Sequence, residues 1–139
     1  MTDEPYRLIN AAPPVDAYLR LRADAGLSPK RADQAEAALP GSWAAVHVVE
    51  TATGTPVAMG RVIGDGGWYF HIADMAVLPQ HQRQGLGDRV LTELLAQIRS
   101  KAPAGAWVTL MADPPGRRLY ARHGFRETAP DSLGMSLTL

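Results

Sequence analysis

The stretch that most constrains this chain runs from Met75 to Gly87 and reads M-A-V-L-P-Q-H-Q-R-Q-G-L-G. An apolar strand enters Pro79, a turn rich in amide and guanidinium groups follows, and Gly85 and Gly87 lead into a segment of helical periodicity. Leu86, Val90, Leu91, Leu94, Leu95 and Ile98 recur at three- and four-residue steps, with Asp88, Arg89, Glu93, Gln97 and Arg99 on the other side. That spacing predicts an amphipathic helix from Gly85 to Ser100, roughly 24 Å long, which Pro103 and Gly105 stop. The two glycines have no Cβ, so their backbone can come close to a ligand, and the first N–H groups of a helix have no acceptor within it. Together with the positive end of the helix dipole they suit a phosphate.

The turn is neither of the common nucleotide loops. A P-loop needs Lys and Ser or Thr after its last glycine, whereas Asp88 and Arg89 follow Gly87, and Val90 stands where a dinucleotide fingerprint needs its third glycine. What remains is Gln82-Arg-Gln-Gly85-Leu-Gly87, with Val77-x-Pro79 before it and Tyr120-x-x-x-Gly124-Phe125 after it. In order and spacing these three resemble the signature of the GNAT superfamily of acetyl-CoA-dependent N-acetyltransferases. The resemblance implies that the loop wraps the pyrophosphate of coenzyme A. The implied fold is α+β, a mixed, mainly antiparallel sheet with helices on both faces.

Composition narrows the alternatives. The 139 residues favour a single domain spanning 1–139. Lys+Arg equals Asp+Glu, so no nucleic-acid footprint is expected. Cysteine is absent, which removes disulfides, thiolate metal sites and a cysteine nucleophile. His47, His81 and His123 share no ligand spacing, and no metal is expected. The N-terminus, Met1-Thr-Asp-Glu-Pro-Tyr6, is acidic without a signal core, and no apolar run nears membrane-spanning length. A cytoplasmic protein with no membrane or nucleic-acid partner is the default; a homodimer is compatible with the sequence.

In chain order, Tyr6 to Ile9 is a short strand, and Val15 to Ala25 an amphipathic helix closed by Gly26. Ser28-Pro29 reads as the N-cap and first turn of a second helix reaching about Leu39. The period then changes to two. Trp43 to Glu50, Thr55 to Ile63 and Trp68 to Leu78 read as strands joined by tight turns at Thr53-Gly54 and Asp65-Gly66-Gly67. Trp107 to Met111 is a further strand, reached through the long helix by a parallel, right-handed βαβ crossover. Pro114 or Pro115 opens a last helix that Gly124 caps, and Phe125 to Thr128 and Met135 to Leu139 read as closing strands. The sheet should therefore have six to seven strands.

Acetyl transfer to an amine needs fixed donors for the developing oxyanion, a base for the ammonium and an acid for the departing thiolate. The resemblance implies a bulge that frees the backbone amides of Met75, Ala76 and Val77 for the first task and for the pantetheine arm of the coenzyme. His71 matches the strand position where the family often has a glutamate, and an imidazole with a reference pKa of about 6.5 can act as a base at neutral pH. Asp74 either binds or deprotonates the amine, or is a structural acceptor, for example for Arg61. Alternation places His71 and Asp74 on opposite faces unless a bulge intervenes. Tyr120 holds the family's general-acid position. The family's Asn seven residues earlier is Asp113 here; a carboxylate suits phosphates poorly, and Asp113 could instead cap the helix at Pro115 or Gly116.

Anion recognition falls to Gln82, Arg83, Gln84, Gly85, Leu86, Gly87 and Asp88, mostly through backbone N–H groups. Arg117 and Arg118 either reach a phosphate or form a polar helix face. Tyr18, Trp43, Met59, Trp68, Tyr69 and Phe70 are candidates for an acceptor pocket suited to an apolar or arylalkyl amine. The expected activity is acetyl transfer from acetyl-CoA to a small-molecule primary amine in a ternary complex. The alternatives are a protein or peptide acetyltransferase and a non-catalytic acyl-CoA sensor.

Overall fold

The period-two segments pair as the turns require. In a computed structural model that describes residues 4–139, β1 (Tyr6–Ile9), β2 (Ala44–Glu50), β3 (Pro56–Gly64), β4 (Tyr69–Val77) and β5 (Trp107–Leu110) form one sheet in the order β1-β2-β3-β4-β5. The acidic reading of the N-terminus rests in part on Met1, Thr2 and Asp3, which lie outside the described residues. β1 through β4 pair antiparallel. Gly54 turns the chain between β2 and β3 at φ 69°. Between β3 and β4, Oδ1 of Asp65 accepts the N–H groups of Gly67, Trp68 and Tyr69. These bonds hold the Asp65 carboxyl below its ordinary pKa, Gly67 contributing most.

The Trp107 N–H donates to the Trp68 carbonyl, and Thr109 bonds with Phe70 and His71. Partner numbers rise together, so β4 and β5 run parallel, as the crossover through α3 (Leu86–Lys101) predicts. All six residues of the predicted stripe on α3 are buried. They pack on one face of the sheet, where a Cβ built on Gly60 would lie 2.8 Å from Val90 and 3.0 Å from Leu94. The other face carries α1 (Val15–Asp24) and α2 (Ala32–Ala38), with Tyr18 and Leu21 buried beneath α1.

The second helix begins later than Ser28-Pro29 implies. Ser28 spends its carbonyl and hydroxyl on the Arg22 guanidinium, so neither is free to start a helix. Gln34 instead reaches back to the Arg31 N–H at 2.9 Å, and α2 starts at Ala32.

By contact density the chain forms two units, divided between Thr109 and Leu110. The second unit holds a 3₁₀ turn (Pro114–Gly116) and α4 (Arg117–Arg122). Gly124, at φ 92°, ends α4 with its N–H on the Ala121 carbonyl, while Phe125 N–H reaches the Tyr120 carbonyl. This is a Schellman closure. The six to seven strands expected are corrected to five, because neither Phe125 to Thr128 nor Met135 to Leu139 is a strand. Phe125 is used by the closure and packs against the Tyr120 ring, centroids 6.1 Å apart. Thr128 and Ser132 bond to each other around a turn. The period-two pattern beyond it has no ladder among the described residues to join.

Candidate active site

The site begins with a register change. Met59 pairs with Ala76 while Arg61 pairs with Ala73, so Gly60 alone opposes both Asp74 and Met75. This is a β-bulge in β4, and it costs Asp74 a left-handed backbone at φ 60°. Gly60 permits it, since a Cβ there would lie 2.6 Å from the Met75 sulfur. A bulge leaves backbone groups outside the ladder at Met75, the first of the three positions read as oxyanion and pantetheine donors.

The bulge also turns Asp74 toward the α1 face, where His71 and Ala73 already point, so the opposite-face placement does not hold. The Asp74 side chain is 8% exposed and takes three donors. Tyr18 Oη donates at 2.7 Å, Arg22 Nη1 at 2.5 Å, and Arg61 Nε completes the set. The need of a buried acid for partners is thus met. Burial and then the bond to Asp74 raise the Tyr18 pKa. Arg22 escaped the sequence reading. Its signal is the four-residue step from Tyr18 on α1, which aims both side chains at one acceptor.

His71 lies on the same face, half-buried, its Nδ1 2.9 Å from Thr109 Oγ1. The Thr109 hydroxyl also lies 3.5 Å from the Phe70 carbonyl. Burial lowers the His71 pKa below 6.5, and the ring is neutral at pH 7. Thr109 is a second residue the sequence reading missed; a hydroxyl within an otherwise apolar strand was its signal.

After β4 the chain makes a 3₁₀ turn (Pro79–His81), and Gln82 Nε2 returns to the Val77 carbonyl at 3.2 Å. Arg83 takes φ 62° and Gly85 φ 75° before α3 begins. Gln82, Arg83, Gln84 and Gly85 are exposed, and a Cβ on Gly85 would meet nothing within 4 Å. The Gly85 carbonyl accepts from Arg89 N–H, and the N–H groups of Leu86 and Gly87 precede this first helical donor and have no acceptor within the helix. Donors of this kind, on an open loop at the positive end of a 16-residue helix, fit a diphosphate. Among the described residues no group of three or more His, Cys, Asp or Glu could hold a metal.

Tyr120 lies in the second unit, half-buried, with Gly116 beside it: a Cβ at Gly116 would stand 2.7 Å from the ring. Burial, and then the Asp113 charge, raise its pKa above 10, so the phenol keeps its proton at neutral pH. Asp113 precedes the Pro114–Gly116 turn as expected, but the carboxylate does not cap it. Its carbonyl takes the Gly116 N–H at 3.0 Å, because prolines at 114 and 115 leave no earlier N–H to bind. Arg117 Nε donates to the Ala112 carbonyl, an intra-unit contact.

Of the six residues read as acceptor-pocket candidates, Tyr18 and Met59 line a small concavity with Ala45, Leu39, Arg61 and Asp74. Trp43 and Phe70 pack against each other at 4.8 Å on the α3 side. Trp68 and Tyr69 join Trp107 in an exposed aromatic row.

A bulged strand, an open loop and a helix N-terminus follow one another in one continuous path of an α+β fold. Residues 42–127, more than half of the chain, match the acetyltransferase (GNAT) domain family, and the chain belongs to that family. It is 36% identical to a protein from meticillin-resistant Staphylococcus aureus described as a probable acetyltransferase, with a TM-score of 0.91 over 96% of this chain and 99% of that one. A GNAT family protein from Streptococcus pneumoniae shares the fold at a TM-score of 0.78 and 23% identity, over 96% of this chain and 98% of that one. Among curated proteins it is similar to serotonin N-acetyltransferase 2, chloroplastic, of Oryza sativa subsp. japonica, 35% identical over 83 residues, or 60% of this chain. The match spans 40% of the length of that relative. No helix among the described residues is long and apolar enough to cross a membrane.

Proposed function

We propose that this chain moves the acetyl group of acetyl-CoA to a primary amine of a small molecule, by direct attack in a ternary complex. The observation that carries the reading is the bulge at Asp74 and Met75 leading within one strand–loop–helix path to the open amides at Gly85. It offers donors for a thioester and for a diphosphate along a single ligand. The name of the rice relative favours a small, arylalkyl-type amine.

When bound, acetyl-CoA supplies the activated acyl group. Backbone N–H groups at Met75, Ala76 and Val77 would hold the acyl oxygen, and the loop from Gln82 through Asp88 would hold the diphosphate, mostly through backbone N–H groups. His71 Nε2 takes the proton that an ammonium must lose before its nitrogen can attack. Tyr120 gives a proton to the departing sulfur, a role that rests on the Tyr-x-x-x-Gly-Phe motif and on a phenol that stays protonated. Asp74, saturated by three donors, acts as an anchor of the α1 face and not as the base.

Thiol release from acetyl-CoA across a panel of arylalkyl amines, amino sugars and short peptides tests the reading. Turnover with small amines is the expected result. Turnover with peptides alone would replace the acceptor class, and coenzyme binding without any turnover would make the chain a sensor. Tyr120→Phe should lower kcat by about 10²–10⁴ and leave coenzyme affinity unchanged. His71→Ala should lose rate by a similar factor and lose an acid limb that lies below pH 6.5.

A further inference from the structure

On the reading that the Gln82 to Asp88 loop holds a diphosphate, we propose that Tyr6, on the first strand and outside that loop, is a positioning residue for the coenzyme. It holds His81 across the end of the sheet, and through His81 it fixes the turn that displays the loop. Tyr6 Oη lies 2.8 Å from His81 Nδ1, and the two rings meet edge to face, centroids 5.6 Å apart at 84°. The residues stand 75 positions apart in the chain, and both are half-buried.

β2 and β3 separate β4 from β1, so the chain leaving β4 has to cross the end of the sheet to meet β1. Leu78 N–H still bonds to the Val57 carbonyl of β3, and β1 lies two strand spacings further, about 10 Å. The 3₁₀ turn Pro79–His81 advances about 6 Å, and the two side chains close the gap. They do so on the α3 side. Tyr6 shares a face of β1 with Leu8, Leu8 pairs with Val48 and Val48 with Ala58, and Ala58 is on the face from which Gly60 looks to Val90 and Leu94.

The bonds inside the turn are local: His81 N–H to the Leu78 carbonyl, Gln82 N–H to the Pro79 carbonyl and Gln82 Nε2 to the Val77 carbonyl. They fix its shape but not its place. Arg83 at φ 62° and Gly85 at φ 75° follow within four residues, and an exposed loop of this kind loses backbone freedom when a ligand orders it. Tyr6 belongs to a strand already held by β2, with Tyr6 opposite Glu50 and the Pro5 carbonyl taking the Thr51 N–H. It lends the turn that fixed frame before a ligand arrives, which cuts the ordering cost of binding.

Calorimetry on the full chain, with coenzyme A and with pantetheine, which lacks the diphosphate, supplies the test. Tyr6→Phe keeps the ring and removes the hydroxyl; His81→Phe keeps an aromatic contact and removes the nitrogen. Each should weaken coenzyme A binding about three- to tenfold, the size of one such bond, and the double variant should lose no more than either single one. Pantetheine affinity should not change. With an amine that the parent turns over, KM for acetyl-CoA should rise by the same factor at the parental kcat. Unchanged coenzyme A affinity, an equal loss for pantetheine, additive losses, or a fall in kcat at unchanged KM would overturn the proposal, the equal loss marking a merely structural contact. If one variant does not fold, the other decides alone, and where pantetheine gives no heat, the coenzyme A values decide. A parent that binds no coenzyme A would sink the reading of the loop and this role with it, whereas a parent that binds, with variants that match it, removes Tyr6 alone.

Discussion

The two faces of the sheet solve the same packing task by opposite means. On the α3 side, Val90 and Leu94 stand over Gly60 together with Met75, and Leu91 and Val62 are fully buried. On the α1 side, one carboxylate, two guanidinium groups and a phenol are drawn together beneath a helix. The apolar face tolerates imperfect pairing, since dispersion and burial are non-directional. The polar face works only while every donor has its acceptor, because charges out of water are costly unless paired. The bulge in β4 is the hinge between the two, since it rotates Asp74 out of the pattern that would have aimed it at α3.

The largest expected effect comes from breaking the polar face. Asp74→Ala leaves Arg22 and Arg61 buried with their cationic charges uncompensated, and should cost about 3–5 kcal/mol in urea unfolding. Replacing the three together, with Asp74→Leu, Arg22→Met and Arg61→Met, should recover most of that loss. A single variant as stable as the parent would mean that the carboxylate is not holding the two cations. The apolar counterpart is smaller. Gly60→Ala forces a methyl against Val90 and Leu94 and should cost about 1–3 kcal/mol. The cost should shrink in a Val90→Ala background, where the crowding is relieved; strict additivity would show that the clash lies elsewhere.

The same contrast decides what could be read from the residues alone. The α3 stripe was legible because burial against a flat sheet imposes a 3.6-residue period, and all six of its members are buried. The loop was legible because Gly85 must reach φ 75°, which few other residues do. Asp74 was only half legible: its need for a partner could be read, but a bulge leaves no period, so its face and the role of Arg22 could not. The segment 133–139 has a strand's alternation without a strand's pairing, because alternation reports what a segment can bury and a ladder depends on a neighbouring edge.

The smallest effect sharpens the comparison at its catalytic end. Thr109→Val keeps the shape of β5 and removes the hydroxyl that bonds to Nδ1 of His71. The stability loss should be about 1 kcal/mol, because one half-buried bond is traded for methyl burial. Burial still lowers the His71 pKa, so the folded protein favours the neutral ring. That contribution to stability is present above pH 6.5 and is lost as the pH falls through the lower folded value. The variant should keep this acid dependence. Its kcat should nevertheless drop several-fold, since an imidazole freed at Nδ1 divides between two tautomers and only one presents a lone pair at Nε2. Rescue by Thr109→Ser with full kcat would tie the effect to the hydroxyl. Should Thr109→Val turn over at the parental rate while melting earlier, the contact is one more structural bond of the polar face, and the base must be sought among water molecules instead.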